Sequence, residues 1–340
     1  MRGFGNMTIL VFGGAGFIGS NFIRQILSGS PQTKIVCVDA LTYAGNRDNI
    51  KGLLAKRFSF VKGDITDSTH IKRLFAKYKP SYAINFAAES HVDRSIHGGT
   101  ETFVRTNVLG TTVLFEALRQ APAVKKFVHV STDEVYGSLS LASKKKFTEH
   151  SPSAPNSPYA ASKAAADLIA RAYYVTYALP IVVTRCSNNY GPYQHPEKLI
   201  PYSITRLMEG KPIAIYGDGK YVRDWIHVDD HCSALAHALL KGVPGEVYNI
   251  GADDEIDNLT LAKRMLAYFK KDTPAIIFVK DRPGHDRRYA IDASKIRKEL
   301  GWKPQHSLRT SFESTIAWYV ENTRWMWRAL VRAGVANTHI

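Results

Sequence analysis

Two residues of one predicted helix could carry out proton transfer. Tyr159 and Lys163 stand at positions i and i+4 in Tyr-Ala-Ala-Ser-Lys, a spacing that places them on the same helix face. A nearby ammonium group lowers the pKa of a phenol from about 10 toward the working range, so Tyr159 could act as a base. The same spacing also occurs by chance in ordinary helices, so the pair needs support from its surroundings.

Two adjacent carboxylates, Asp133 and Glu134, follow directly after the apolar run Lys126–Val130 and Ser131-Thr132. In sheets of parallel strands, ligands bind at the edge formed by the carboxyl ends of the strands. Removing water from a sugar needs one group to take a carbon-bound proton and another to protonate the leaving hydroxyl. A simple alcohol dehydrogenase or an epimerase needs no such pair. The alternative explanation is a helix N-terminus rich in acids.

A glycine-rich turn precedes this chemistry in the chain. Gly13, Gly16 and Gly19 lie between an apolar strand and a helical pattern, in the order typical of a dinucleotide-binding turn. There, backbone without Cβ atoms approaches a pyrophosphate, and the helix N-terminus offers free N–H groups. Asp39 ends the second strand, where a carboxylate can hold ribose hydroxyls and would repel a 2′-phosphate, so we predict NAD. Asp64 follows the third strand and could meet the adenine edge or cap a helix.

Alternating strands and helices must position these residues. The predicted strands are Thr8–Phe12, Lys34–Val38, Phe58–Val61, Tyr82–Phe86, Lys126–Val130 and Ile181–Thr184. The predicted helices are Asn21–Leu27, Ser68–Tyr78, Thr106–Gln120 and Tyr159–Tyr177. Strands that are apolar on both faces and alternate with helices predict an α/β fold, a doubly wound parallel sheet of the Rossmann-like type.

The rhythm of the sequence changes after residue 186. We predict a NAD-binding domain over 1–186 that also carries the catalytic residues, and a smaller C-terminal substrate lobe over 187–330. Residues 247–250 are expected to return to the main sheet, and 331–340 form a tail. The segment Trp325–Ile340 could be an amphipathic interface helix, although a packed or frayed terminus is the simpler expectation.

Charge and composition narrow the function classes. The net charge is +15 over 340 residues, from 45 Lys+Arg and 30 Asp+Glu, which fits either an acidic partner or a solvated basic surface. The basic residues are scattered, so we expect no nucleic-acid partner. Three cysteines without a C-x-x-C motif, and no long apolar segment, indicate a cytoplasmic protein outside the membrane. His227 and His231 lack the acid of a zinc motif, so no metal is expected.

Several longer strings carry a family resemblance. The glycine turn, Ser131 and the Tyr159/Lys163 pair resemble the extended short-chain dehydrogenase/reductase superfamily, and the Thr132-Asp133-Glu134 string resembles its dTDP-glucose 4,6-dehydratase family. The other matching strings are Asp39–Asn46, Ala87–Ile96, Arg185–Tyr193, Glu197–Pro201, Arg223–Trp225 and Arg282–Asp286. The resemblance runs from about residue 8 to 305.

The resemblance implies a three-step cycle on a nucleoside-diphosphate hexose. Tyr159 takes the proton of the sugar 4-hydroxyl, which Thr132 helps to hold, while hydride leaves C4 for NAD⁺. Glu134 then removes the C5 proton, and Asp133 protonates the departing C6 hydroxyl. The hydride returns to C6, which gives a 4-keto-6-deoxy sugar. Transient oxidation at C4 acidifies the C5–H bond. Because the hydride returns to the sugar within the same cycle, such an enzyme retains its cofactor.

The same resemblance assigns binding residues and an oligomeric state. Those assigned to the cofactor are Gly13, Gly16, Phe17, Ile18, Gly19, Asp39, Thr42, Asp64, Ile65, Ala87, Asn107, Ser131, Tyr159 and Lys163. Those assigned to the substrate are Ser90, Asn188, Asn189, Lys198, Leu199, Tyr216, Arg223, Asn249, Arg282 and His285. Helices Thr106–Gln120 and Tyr159–Tyr177 are expected to pair across a homodimer.

Three alternatives remain open at this point. Ala214 stands where many family members carry proline near the base, so UDP-glucose and UDP-N-acetylglucosamine are alternative substrates to dTDP-glucose. A nucleotide-sugar 4-epimerase or decarboxylase is a second alternative, against which the acid pair argues. A NAD-binding protein that has lost catalysis is the third.

Overall fold

The computed structural model describes residues 4–53 and 56–332. The strands are β1 (Thr8–Phe12), β2 (Lys34–Asp39), β3 (Phe58–Lys62), β4 (Tyr82–Asn85), β5 (Lys126–Thr132), β6 (Ile181–Cys186), β7 (Asn188–Tyr190), β8 (Ile213–Tyr216), β9 (Val222–His227), β10 (Val247–Ile250), β11 (Glu255–Asp257) and β12 (Ile276–Val279). The helices are α1 (Phe17–Gly29), α2 (Ser68–Tyr78), α3 (Val92–His97), α4 (Thr100–Phe103), α5 (Thr111–Leu118), α6 (Pro158–Tyr177), α7 (Leu199–Met208), α8 (Val228–Lys241), α9 (Asn258–Tyr268), α10 (Ser294–Leu300), α11 (Leu308–Glu321) and α12 (Thr323–Arg332).

A parallel sheet of seven strands forms the centre of the molecule, in the order β10-β6-β5-β4-β1-β2-β3. Strand β1 shows why both faces are covered: Ile9 and Val11 pack into one hydrophobic core, whereas Leu10 and Phe12 pack into the other. Because side chains alternate along a strand, a run that is apolar throughout must be buried on both sides. The order reverses between β1 and β4, and this is the point where such sheets bind ligands.

The predicted strands and fold class are confirmed, and so is the return of Val247–Ile250 to the main sheet, where it pairs with β6. Helices α8 and α10 also pack against this sheet, since Leu235, Leu239 and Ile296 lie in the same core as Ile9. The second half of the chain therefore contributes to both parts of the molecule.

One predicted helix is wrong in its first half. Residues Val104–Gly110 form a π-helix, and the α-helix α5 begins only at Thr111. The wider turn carries Asn107, whose amide is used in buried hydrogen bonds, and π-turns of this kind concentrate at functional sites. The spacing of apolar residues in the sequence does not reveal the wider turn that distinguishes a π-helix from an α-helix.

The remaining elements form a smaller lobe. Strands β11, β9 and β7 make a three-stranded sheet, and β12 pairs with β8. A third hydrophobic core joins helices α7, α9, α11 and α12 through side chains such as Ile204, Met265, Ile316 and Met326. The packed-terminus expectation holds for α12, and residues 333–340 lie outside the described part of the chain. Within the described ranges, no helix is both long and apolar enough to cross a bilayer.

Candidate active site

The glycine turn has the close packing that a dinucleotide site needs. Gly13 adopts φ 72°, and a Cβ there would lie 2.4 Å from the backbone nitrogen of Ala87. A Cβ on Gly19 would lie 2.4 Å from the Gly13 carbonyl oxygen. Gly16 precedes α1, and none of the described side chains caps the N-terminus of this helix. Its first N–H groups therefore face the cleft without a competing partner, which fits a pyrophosphate.

Asp39 is held in place by the same turn. Its two carboxylate oxygens accept hydrogen bonds from the backbone N–H groups of Ala15 (2.9 Å) and Leu41 (2.8 Å). Burial raises the pKa of Asp39, and these two amides oppose that shift. Each oxygen keeps a lone pair that could accept from a ribose hydroxyl. The position thus fits the predicted role of Asp39 toward NAD.

Other residues predicted around the cofactor follow the ends of strands β2, β3 and β4. Asp64 is exposed and accepts from the N–H and hydroxyl of Thr66. It does not cap a helix, because Asp67 caps α2 through the N–H of His70. Thr42 is exposed in the loop after β2, Ile65 is buried against Gly110, and Ala87 lies against Gly13.

The predicted catalytic residues converge on one cleft. Strand β5 ends at Thr132, whose hydroxyl accepts from the N–H of Glu134 at 3.3 Å and starts a 3-10 turn over Asp133–Tyr136. Helix α6 begins at Pro158, capped by Ser157, and so presents Tyr159 and Lys163 to the end of β5. All of them line the cleft that contains the glycine turn: Ser131, Thr132, Asp133, Glu134, Tyr159 and Lys163.

The predicted lowering of the Tyr159 pKa is wrong for the protein alone. Burial and the neighbouring carboxyl of Glu134 raise the pKa of Tyr159 well above its ordinary value. The Lys163 ammonium donates instead to the carbonyl oxygen of Val130 at 2.7 Å, and burial lowers its own pKa to about 8. Tyr159 is therefore a phenol before any ligand binds, and a hydrogen bond links it to Thr132.

The two adjacent acids differ in electrostatic environment. Burial, Glu134 and Asp224 raise the pKa of Asp133 well above its ordinary value, which favours the protonated acid. Burial also raises the pKa of Glu134, but three cations lower it in opposition: Arg282, Arg223 and Lys198. Two carboxyl groups whose environments separate their protonation are suited to act as acid and base, respectively. One oxygen of Asp133, Oδ2, is buried and has no partner among the described residues.

Several of the predicted substrate residues lie at the same cleft. Ser90, Asn188, Asn189 and Lys198 line it, and the Lys198 ammonium donates to the Ser90 carbonyl oxygen at 2.8 Å. The Asn189 side chain is bonded to His231 and to the Ser187 carbonyl, whereas Asn188 Oδ1 is buried without a partner in the described ranges. Of these two asparagines, Asn188 is thus the one with a free acceptor.

A second group sits in the smaller lobe. The Arg282 guanidinium lies 3.2 Å from Asp93 Oδ1, and the Tyr216 hydroxyl lies 3.4 Å from the other oxygen of Asp93. His285 stacks on Tyr221 with ring centroids 3.7 Å apart. The other two predicted members are buried Arg223, which stacks over the ring of Tyr289, and Leu199, which begins α7.

Two residues predicted to contact ligands use their side-chain amides within the protein. Asn249 is fully buried, and its amide bonds to the Tyr136 hydroxyl and to the carbonyl oxygens of Phe147 and Asp292. Asn107 is enclosed likewise, with its amide bonded to the Glu89 backbone and to Ser162. Both amides thus hold the backbone around the site, and their contacts with NAD and with the substrate stay predictions.

Sequence reasoning missed part of the cleft wall. Asn46, Asn49, His195, Trp325 and Ala329 also line it. Asn46 belongs to the string Asp39–Asn46, which also contains Asp39 and Thr42. Its closeness in sequence to these two predicted cofactor residues was a signal that could have identified it. Trp325 and Ala329 come from the far end of the chain, and no local pattern connects them to the glycine turn.

The two histidines considered for a metal are separated in space. His231 is buried against Asn189, while His227 stacks on His306 and caps α8 through the N–H of Asp229. His227, Asp229 and His306 offer atoms within 4.8 Å of one another. The Nδ1 atom of His227 is already used by the helix, so we assign no ion to this group.

The fold and the cleft together define a dinucleotide-binding enzyme of the extended short-chain dehydrogenase/reductase class. Residues 10–315 match the family model described as GDP-mannose 4,6 dehydratase, and the chain belongs to this family.

Its similarity to individual members extends over nearly the whole chain. It is 48% identical over 337 residues to the dTDP-glucose 4,6-dehydratase of Xanthomonas campestris pv. campestris (strain B100), covering 94% of this chain and 95% of that one. The dTDP-glucose 4,6-dehydratase of Streptomyces venezuelae, crystallised with NAD and TYD bound, superposes with a TM-score of 0.91 at 48% identity, over 95% of this chain and 100% of that one. The enzyme from Bacillus anthracis str. Ames, in complex with NAD, gives 0.89 at 47%, over 95% and 99%.

Proposed function

We propose that this protein is a NAD-dependent hydro-lyase that converts a nucleoside-diphosphate-glucose, with dTDP-glucose as its substrate, into the 4-keto-6-deoxy sugar. The observation that carries the proposal is the pair Asp133 and Glu134 beside Tyr159. At the end of β5 Asp133 is buried and Glu134 is half-buried. Arg223 opposes the raised pKa of both carboxyls, whereas Arg282 and Lys198 add to this opposition at Glu134. Epimerisation at C4 has no use for two such acids.

Each residue has a defined task in this reaction. Tyr159 first has to release its own phenolic proton to solvent, which the positive charges of Lys163 and of bound NAD⁺ would favour. As a phenolate it then receives the proton of the sugar 4-hydroxyl, and Thr132 orients that hydroxyl. Bound NAD⁺ would supply the hydride acceptor and a positive charge in this cleft. Glu134, whose raised pKa is opposed by three cations, takes the proton from C5. Asp133, kept protonated by burial, gives its proton to the C6 hydroxyl as water leaves.

The substrate lobe supports binding of a diphosphate. Lys198, Arg223 and Arg282 bring three positive charges to the side of the cleft where Glu134 lies. Arginine is suited to this task because its planar fork bonds phosphate at two points. Asn188 also lines the cleft, and its free amide oxygen could accept from a sugar hydroxyl but not from a phosphate. The family relatives above are named for dTDP-glucose, and this favours thymidine over uridine as the nucleoside.

A product assay tests the proposal directly. The purified protein is incubated separately with dTDP-glucose, UDP-glucose and UDP-N-acetylglucosamine, and the alkali-induced absorbance of a 4-keto sugar is followed. We expect product from dTDP-glucose with a kcat/KM at least about 10-fold above the others, because a UDP-sugar lacks the thymine methyl group and carries an additional 2′-hydroxyl. A C4 epimer formed without loss of water would contradict the proposed reaction. Faster turnover of a UDP-sugar would contradict only the nucleoside assignment.

We further propose that the protein acts as a cytoplasmic homodimer joined through α6. Leu168 and Val175 on this helix are 64% and 65% exposed, and Leu109 on the adjacent π-helix is 50% exposed. Apolar side chains grouped in this way indicate a covered face. All three cysteines are free, buried thiols, in keeping with a reducing compartment.

Charge placed on this face should separate the protomers. We expect the double variant Leu168→Glu/Val175→Glu to sediment as a monomer under conditions where the unmodified protein is a dimer. Analytical ultracentrifugation measures this, and Val243→Glu serves as a control because Val243 is also exposed but lies outside α6. An unmodified protein that sediments only as a monomer would refute the dimer.

A further inference from the structure

Helix α12 closes one side of the cofactor cleft. Trp325 and Ala329 line the same cavity as Gly13, Gly16 and Tyr159, although they lie far away from these residues in sequence. Ala329 is 3% exposed. The family resemblance seen in the sequence ends before α12, so the contribution of this helix to the cleft follows only from the tertiary structure.

The contacts of α12 lead directly to the glycine turn. The Trp325 indole N–H donates to Asn49 Oδ1 at 2.8 Å, and the Asn49 amide donates to the Ala15 carbonyl oxygen at 2.9 Å. The N–H of Ala15 in turn bonds to the Asp39 carboxylate. Asn49 is 2% exposed. The buried side-chain amide of Asn49 therefore links Trp325 to Ala15. Ala15 in turn bonds to Asp39, the residue predicted to hold the ribose of NAD.

Charged contacts join the end of α12 to the 3-10 helix Arg47–Ile50, which contains Asn49. The guanidinium groups of Arg328 and Arg332 lie 3.7 and 3.8 Å from Asp48 Oδ2. Arg332 also donates to Asn46, whose N–H bonds to the Ala15 carbonyl. These pairs are partly exposed, so each contributes little by itself, and salt weakens them.

The opposite face of α12 belongs to the core of the smaller lobe. Met326 is fully buried there, and the Thr205 hydroxyl donates to its sulfur at 3.1 Å. The Trp325 ring also packs edge-on against Tyr193, with centroids 5.7 Å apart. Helix α12 thus spans from the core of one lobe to the nucleotide-binding turn of the other.

We propose that α12 is part of the dinucleotide site: Trp325 and Ala329 wall the cleft beside the Asp39 end, and the Trp325–Asn49 hydrogen bond retains the bound cofactor. This rests on the proposed function only in taking NAD as the ligand. An enzyme that takes up and returns a hydride within one cycle has no need to exchange its cofactor. Slow release therefore serves the reaction.

The test compares cofactor release in two matched variants. Protein loaded with NADH is mixed with excess NAD⁺, and the decay of NADH fluorescence gives the dissociation rate. Trp325→Phe keeps an aromatic ring but loses the N–H donor. We expect NADH release to be about five- to tenfold faster, the change that follows the loss of one hydrogen bond. Trp327→Phe alters a 38% exposed residue of the same helix and should leave the rate unchanged.

A second variant tests the charged contacts independently. Arg332→Gln should accelerate release by a smaller factor, and added salt should reduce the difference from the unmodified protein. Thermal melting of each variant without cofactor identifies any general loss of stability. Equal release rates for Trp325→Phe, Trp327→Phe and the unmodified protein would overturn the role of α12. Failure of the unmodified protein to bind NADH would instead refute the proposed function.

Discussion

Replacing Glu134 with glutamine is expected to lower turnover of dTDP-glucose by about 10²- to 10⁴-fold, the range that one general acid or base contributes. The amide matches the carboxylate in shape but cannot take the C5 proton. Oxidation at C4 does not depend on Glu134, so the reaction should stop with the cofactor reduced. The measurement is the near-ultraviolet absorbance of enzyme-bound NADH after one addition of substrate, which should rise and persist.

Asp133→Asn provides the matched comparison, because the two acids are neighbours with opposite tasks. In deuterated water, Asp133→Asn should still exchange the C5 hydrogen, since Glu134 remains able to remove it, while water is lost slowly. Glu134→Gln should not exchange it. Unchanged turnover in Glu134→Gln, or C5 exchange in that variant at the unmodified rate, would remove Glu134 from the mechanism.

Replacing Tyr159 with phenylalanine is expected to lower turnover by a similar factor, about 10²- to 10⁴-fold, but at an earlier step. Without the hydroxyl, nothing at this position can receive the proton of the sugar 4-hydroxyl. NADH should therefore not accumulate, in contrast to Glu134→Gln. The glycine turn, Asp39 and Lys163 are intact in this variant, so NADH binding measured by fluorescence should be retained and weakened by no more than about tenfold, the loss of one hydrogen bond.

Tyr173→Phe is the control on the same helix. The Tyr173 hydroxyl donates to Glu116 of α5 at 2.6 Å, and Tyr173 is not among the described residues that line the cleft. Its loss should leave turnover within about twofold, as is usual for surface substitutions. Accumulation of NADH in Tyr159→Phe at the unmodified rate would show that another group takes the first proton.

The different protonation of the acid pair explains how one short string can serve two purposes. Asp133 and Glu134 are adjacent in the chain and share the same buried turn. Arg223 acts on both carboxyls, whereas Arg282 and Lys198 add charges that favour the ionised form of Glu134. The active site is therefore complete only when both lobes are in place.

Local sequence determined much of this protein by itself. Apolar runs such as Thr8–Phe12 predict buried parallel strands, since only a covered sheet can accommodate them on both faces. The glycine turn, the Tyr159/Lys163 pair and the acid pair could also be placed, because each requires particular residue types at fixed short spacings. The carboxyl ends of neighbouring parallel strands meet at one edge, and this predicted that these groups would converge.

Tertiary structure decided what depends on residues distant in the chain. The pKa of Tyr159 is raised where the Lys163 spacing predicted it lowered, because burial and Glu134 raise it while the Lys163 ammonium donates to the Val130 carbonyl. Asn107 and Asn249 turned inward to satisfy buried backbone groups, which no local pattern shows. Trp325 reached the cofactor cleft because α12 packs across both lobes. The burial and the pKa of a side chain depend on many neighbours in space, whereas a sequence pattern contains only the neighbours that are close along the chain.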